Sequence, residues 1–334
     1  MKFKRIKSNH VQGILEPESS RKYPFQRLPQ KYKNKVRQEV WDLSENSAGV
    51  SMSFFTNTST LVAKWKLKNK FKMHHMTDVA ISGLDLYQKR NKCWDFTGAA
   101  IPEDLENEVC LFSGLKKKLR HFRIHLPLYN TLISLELGID ADAQLKINYK
   151  ESDPLIFYGT SITQGGCASR PGLAYTNIIS RKLNKTCINL GFSGNGHLEV
   201  PIAKILSKIN SAFFIIDCMW NIDENIITKN TRPFLSALRS KKENSQTPII
   251  FYEKYVSDIN HPDKKQIHSI LQENLALKKE INKKIKNGFK KLYVFSQDGC
   301  LREDSEFTVD GVHFNDLGFE RFAKHFLKNL KKLV

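Results

Sequence analysis

From about residue 151 onward, apolar runs of strand length alternate with amphipathic segments of helix length, and no other feature restricts the fold as strongly. The strand-like runs are Pro154 to Tyr158, Cys187 to Phe192, Ala212 to Met219, Pro248 to Tyr252 and Leu292 to Phe295. Helix-like segments lie between them, roughly Leu173 to Asn184, Val200 to Ile209, Lys229 to Arg239 and Pro262 to Asn287. A last one carries Phe319, Phe322, Ala323, Phe326, Leu327 and Leu330 at helical spacing on one face and lysines on the other. Near-continuous apolar strands need both faces covered, and parallel neighbours need crossover connections. The expectation for 151–334 is therefore an α/β domain, a flavodoxin-like three-layer sandwich on a five-stranded, mainly parallel sheet. Right-handed crossovers put the C-terminal ends of its strands on one edge, where sites gather.

The chain before this point has a different texture. Residues 1–35 are polar and basic, with Pro17, Pro24 and Pro29, and read as an irregular lead-in. Over 36–150 short β-rich runs are separated by polar turns: Ser51 to Thr56, Thr60 to Leu67, Asp85 to Gln88, Arg120 to Pro127, Leu132 to Leu137 and Gln144 to Tyr149. Leu61, Ala63, Trp65 and Leu67 alternate with other residues as half-buried antiparallel strands do, which predicts a jelly-roll-like β-sandwich. Trp41, Trp65 and Trp94 are expected in its core rather than on a sugar-binding surface. The run Met73-His74-His75-Met76 and the pair His121 and His125 lack a carboxylate or cysteine at ligand spacing, so a structural role is expected for them.

Bulk properties narrow the function classes. Lys and Arg outnumber Asp and Glu by 53 to 34, a formal charge of +19, which suits an anionic surface, a nucleic acid or an acidic polymer. The excess is spread over helix faces apart from the short cluster Lys116, Lys117, Lys118 and Arg120, and lysines are not interleaved with aromatics on one element, so a nucleic-acid partner is not expected. The six cysteines show no CxxC pair and read as buried free thiols, with a bridge between Cys93 and Cys110 left open. No apolar run has the length of a signal peptide or a membrane span, so a soluble protein is expected.

Polar residues in the second half fall in a pattern. Ser161 follows the first strand in the turn Gly159-Thr160-Ser161-Ile162-Thr163, and Ser193-Gly194-Asn195 follows the second. Trp220-Asn221 follows the third, and Asp310-Gly311-Val312-His313 precedes the last helix. All four sit on the same expected edge of the sheet. Rival motifs fail: Glu199 stands where a dinucleotide fingerprint needs its third glycine, Gly191-Phe192-Ser193-Gly194-Asn195 lacks a glycine of the nucleophile elbow, and neither a phosphate loop nor HExxH is present. A serine hydroxyl needs a base within hydrogen-bond reach, which His313 would supply. Asp310, three residues earlier, would hold the imidazole in its working tautomer. The N–H groups of Ser161 and Gly194 and the side-chain amide of Asn221 would face a developing oxyanion.

These four blocks resemble those of the SGNH hydrolases, the GDSL lipase and esterase superfamily, over essentially all of 151–334. The resemblance implies Ser161 as nucleophile, His313 and Asp310 as its partners, and Gly194 and Asn221 with Ser161 as the oxyanion hole. The N-terminal region, including Val40-Trp41, Ser47-Ala48-Gly49 and Gly83-Leu84-Asp85-Leu86-Tyr87, is similar to the sandwich that precedes the catalytic domain in a bacterial subgroup. Thr160 departs from the aspartate of the family name, Met219 from a glycine and Ile222 from an aspartate; Asn195 is the fallback for Asn221. The implied activity is a serine esterase that removes short acyl groups, most simply acetyl, from a carbohydrate, with no metal or cofactor. The charge adds an acidic polysaccharide as a further expectation. Two alternatives stand beside it: a lipid- or thioester-directed acyl hydrolase, and a glycan-binding protein without catalysis.

Overall fold

The structure is a computed structural model and describes residues 1–148, 153–241, 244–256, 263–297, 299–301 and 304–333. The chain divides into two compact units, Met1–Ser152 with Gly165–Asn189, and Asp153–Gln164 with Leu190–Val334. The boundary expected between 150 and 151, the end of the last expected sandwich strand at Tyr149, and Pro262 at the head of an expected helix lie outside the described residues.

Among the described residues the first unit is built on nine antiparallel strands: β1 (Lys2–Arg5), β2 (Ser51–Thr56), β3 (Leu61–Leu67), β4 (Leu84–Arg90), β5 (Cys93–Ala100), β6 (Glu106–Phe112), β7 (Arg120–His125), β8 (Leu132–Ile139) and β9 (Leu145–Ile147). They form two sheets, ordered β1-β8-β3-β6 and β5-β4-β7-β2-β9, and one apolar cluster is shared between them. Period-2 alternation accounts for which residues enter it. On β3 Leu61, Ala63, Trp65 and Leu67 are core residues, on β7 Phe122 and Ile124, and on β4 Leu84 and Leu86.

The opposite face of β4 explains why 165–189 belongs to this unit. There Asp85 Oδ2 accepts hydrogen bonds from Arg170 Nη1 and from the Gly172 backbone, both at 2.8 Å. Arg170 also bonds the Tyr87 hydroxyl and lies over the ring of Phe96 at 3.9 Å. Asp85 is fully buried, a location a carboxylate tolerates only with such partners.

Three expectations are corrected here. The segment 1–35 is not merely a lead-in: Lys2–Arg5 pairs with β8 in register Lys2 to Ile139, and Ile6, Val11, Ile14 and Phe25 join the core. Arg27, also fully buried, donates to the carbonyls of Leu43, Asn46 and Asn189, which satisfies a charge taken out of water. Trp41 and Trp65 are core, but Trp94 is half-buried, with the Arg123 guanidinium 4.6 Å above its ring. Cys93 and Cys110 are exposed thiols with no bridge between them, and the other four cysteines are buried thiols.

The second unit carries the sheet of β10 (Leu155–Gly159), β11 (Cys187–Gly191), β12 (Phe213–Asp217), β13 (Ile249–Tyr252) and β14 (Leu292–Phe295), with only the start of β11 assigned to the first unit. Its strands are parallel and ordered β11-β10-β12-β13-β14, the flavodoxin-like order 2-1-3-4-5. Adjacent residues on β10 show the three layers. Phe157 meets Phe326 of the helix Asp316–Leu330 at 5.7 Å, while Tyr158 stacks on Phe234 of the helix Glu224–Leu238 at 5.7 Å. Neighbouring side chains on a strand point to opposite faces, so the two helices cover opposite sides. Burying one such aromatic contributes about 1.5–3 kcal/mol. The helix expected from Lys229 begins at Glu224, because Asp223 caps it by accepting from the Ile226 N–H at 2.8 Å.

Candidate active site

The strand order reverses at β10, and in open parallel sheets the crevice beyond the strand ends at such a point is where ligands bind. Ser161 stands there. β10 ends at Gly159, and Thr160 turns the chain into the short helix Ser161–Gln164. The Thr160 hydroxyl accepts from the Ile162 N–H at 3.3 Å and its carbonyl from the Gln164 N–H at 3.0 Å. Threonine thus serves as the acceptor at the head of this turn, where an aspartate would have served equally. The N–H of Ser161 lies in the first turn of that helix.

The hydroxyl of Ser161 meets His313 Nε2 at 2.8 Å, and His313 Nδ1 meets Asp310 Oδ2 at 2.7 Å. Residues 307–315 form the frame for that pair: a bridge joins Thr308 to Phe314, and the Val309 N–H bonds the His313 carbonyl at 2.9 Å. Within it Asp310 Oδ1 accepts from the backbone of His313 at 2.7 Å and of Val312 at 3.0 Å. Partial burial alone would raise the Asp310 pKa. The bonds from the His313 backbone and ring and from the Val312 N–H outweigh it and hold the carboxyl below the usual carboxylate range. An ionised carboxylate on Nδ1 requires the proton there, which leaves Nε2 to accept from Ser161.

The turn after β11 carries Gly194 in the left-handed region, φ 69°, with open space where a Cβ would stand. Gly191 is required for a different reason: a Cβ would come within 2.1 Å of the Gln164 backbone nitrogen, so the strand end and the serine helix can approach only through a glycine. Gln164 itself is fully buried, and its Oε1 accepts from the Ser193 N–H at 3.0 Å, which pins the turn holding Gly194.

Asn221 ends the short turn after β12, and its Oδ1 accepts from the Gly196 N–H at 3.1 Å, leaving the Nδ2 hydrogens to donate elsewhere. Asn195 is placed differently, since its Nδ2 donates to the Ser193 carbonyl at 2.8 Å. Met219 and Ile222, the two departures flanking Asn221, are both buried apolar residues.

Ser161, Asp310 and His313 are thus within hydrogen-bond reach as a chain, and Gly196 joins the turn of Gly194 to Asn221. Sequence reasoning missed the supports. Tyr255, nearly buried, donates its hydroxyl to the Gly311 carbonyl and packs on Phe307 and Phe314. Trp220 packs on its ring as well, tilted, at 5.0 Å between centroids. No motif surrounds Tyr255 in the sequence, whereas Gln164, three residues past Ser161, was within reach of the reading. His121 and His125 lie on β7 of the first unit, where His121 contacts Ser53 Oγ at 2.7 Å and His125 receives Arg181 Nη1 at 3.1 Å.

Comparison with known proteins agrees with this fold. Residues 1–145 match the family model for the N-terminus of SGNH-hydrolase-type esterases. A solved structure from Bacteroides ovatus described as a GDSL-like lipase is 34% identical, covers 99% of this chain and 98% of its own, and superposes with a TM-score of 0.92. A salicylyl-acyltransferase from a tetracycline biosynthetic pathway has 16% identity, coverage of 99% and 97%, and a TM-score of 0.77. An acetyl xylan esterase from the rumen bacterium Butyrivibrio proteoclasticus has 15% identity, coverage of 99% of both chains, and a TM-score of 0.63. At such identities the last two show the shared fold alone. A search of curated proteins finds no match. Residues 152–331 match the model of the GDSL-like lipase/acylhydrolase family, and it is to this family that the chain belongs.

Proposed function

We propose that the protein is a serine esterase that removes short acyl groups, acetyl foremost, from a carbohydrate through an acyl-enzyme. The observation that carries the reading is the relay from Ser161 Oγ to His313 Nε2 at 2.8 Å and from His313 Nδ1 to Asp310 Oδ2 at 2.7 Å. In the proposed mechanism His313 takes the proton of Ser161 as its oxygen attacks the ester carbonyl, and Asp310 stabilises the imidazolium. The N–H groups of Ser161 and Gly194 and the Asn221 Nδ2 receive the oxyanion. The protonated His313 then gives its proton to the departing sugar oxygen, and water, deprotonated by the same imidazole, releases the acid from Ser161.

The acyl chemistry follows from the relay, and the carbohydrate half of the proposal comes from the fold. It is supported by the sandwich that precedes the hydrolase region and by carbohydrate esterases among proteins of the same fold, and fold analogy alone does not select a substrate. The charge of +19 adds an acidic glycan to the substrates to be tried. No helix among the described residues is long and apolar enough to cross a membrane.

Acetate release from a panel of acetylated neutral and acidic polysaccharides, parent against Ser161→Ala, tests the reading. Release by the parent and a fall of about 10⁴-fold or more in the variant is expected. Equal release by both would remove Ser161 from the mechanism. Preference for long-chain or thioester substrates would move the assignment to a lipid-directed hydrolase, and no hydrolysis of any ester by the parent would favour glycan binding alone. The acidic-glycan preference fails if added salt affects acidic and neutral substrates alike.

A further inference from the structure

On the second sheet of the sandwich, the face turned away from the apolar core opens into a cavity of about 670 Å³. All of its described lining comes from the first unit: outward positions of β2, β4 and β7, together with the turn at 183–186. Alternation dictates these positions, since Phe54 and Phe122 on the same strands point into the core while Phe55 and Arg123 face outward.

The charge of this cavity is one-sided. Arg123, Lys89 and Lys185 line it, and no described lining residue is acidic. Arg123 is 4% exposed, yet it has no ion pair with any described residue. Its Nη1 donates to Ser180 Oγ at 3.2 Å, its Nε is buried without a partner, and its plane lies over the ring of Trp94 at 4.6 Å. Burial, with Arg181 nearby, draws its pKa down to about 10, so it remains a cation at neutral pH. A desolvated guanidinium with donors to spare is costly to keep and is matched geometrically by a carboxylate, which takes two parallel N–H bonds.

The remaining lining is of another kind. Asn148 and Asn184 offer amides to hydroxyl groups, and Phe55, stacked on His121 at 4.2 Å, offers an apolar flank. The volume falls within the range of small-molecule sites and would be left mostly unfilled by a bare inorganic anion.

We propose that this cavity is a second, non-catalytic binding site for a carboxylated sugar, a hexuronate unit held by its carboxylate on Arg123 with Lys89 and Lys185 flanking, and by its hydroxyls on the amides. The site stands on the first unit alone and does not depend on Ser161 being the nucleophile. It would give the sandwich a function of its own, retaining the protein on an acidic polysaccharide.

Calorimetric titration of the full chain tests the proposal with trigalacturonic acid, which carries no ester, as probe and xylotriose and inorganic phosphate as controls. Binding of the trigalacturonate is expected, with neither control binding comparably. Lys89→Glu with Lys185→Glu, at half-exposed and exposed positions, is expected to weaken it about tenfold or more. Arg123→Lys keeps the charge but loses the two-pronged donor, and is expected to weaken it severalfold. The proposal is overturned by absence of trigalacturonate binding at millimolar concentration or by unchanged affinity in the double variant. Xylotriose or phosphate binding as tightly as the acid would overturn it as well.

Discussion

His313 and His125 are the same residue in opposite surroundings. His313 lies on a partly exposed loop with a carboxylate on one ring nitrogen and a serine hydroxyl on the other. His125 is fully buried on β7, edge-on to Tyr87 at 5.5 Å, and faces guanidinium groups. Arg181 can only donate, so His125 Nε2 accepts and the ring is neutral. Burial, then Arg181, Arg123 and Arg170, push the His125 pKa well below its ordinary value, with only a bond donated to Asn177 opposing them. A carboxylate partner prepares an imidazole to receive a proton, whereas burial among cations forbids it. The role of each histidine is set by its burial and by the charge of its neighbours together.

The largest effect expected from this contrast is on turnover. His313→Ala is expected to lower kcat on a soluble ester by about 10⁴-fold or more, while His125→Gln leaves the kcat of the folded protein within a factor of a few. Equal losses in the two variants would erase the distinction. Next comes the oxyanion. Asn221→Ala is expected to cost about 10²- to 10³-fold in kcat, but Asn195→Ala little, because the Asn195 amide already donates to Ser193. The reverse outcome would exchange their roles.

Two smaller effects concern stability. Asp85→Ala strands Arg170 beside Tyr87 and removes the acceptor for the Gly172 N–H, and a loss of about 3 kcal/mol in urea unfolding is expected. A loss below about 0.5 kcal/mol would mean that the buried pair does not tie 165–189 to the sandwich. Least in size is a pH effect. The folded His125 pKa lies below the unfolded value of 6.5, so the unfolded chain binds the extra proton first and stability falls as pH drops below that value. Urea midpoints for parent and His125→Gln from about pH 7.5 to 5 are expected to converge on the acid side as this component is lost. Parallel curves would place the protonation elsewhere.

The sequence was most legible where structure is local. β10 to β14 read as apolar runs because both faces of that sheet are covered, and Asp310 with His313 read as a pair because three residues in one turn bring them together. The sandwich was less legible at its edges. The three strands not expected, β1, β5 and β6, are all at the ends of their sheets. An edge strand carries polar and charged residues, which weakens its alternation; on β6 Leu111 alone is buried. Trp94 was misplaced for a related reason, since it belongs to one of these edges and packs on Arg123 rather than in the core.

The sequence by itself determined the α/β class of the second half, the β class of the first, and the residues Ser161, Asp310 and His313 as members of one edge. Hydrophobic period and turn chemistry are properties of neighbours along the chain, and they survive without a fold. Only the tertiary structure decided that Ser161 and His313, 152 positions apart, lie at 2.8 Å, that Tyr255 steadies Gly311, that Asp85 binds 165–189 to the sandwich, and that Arg123 opens onto a cavity with no acid among its described lining residues. Each of these depends on which outward face meets which, and pairing across long sequence separations leaves no periodic trace in a single chain.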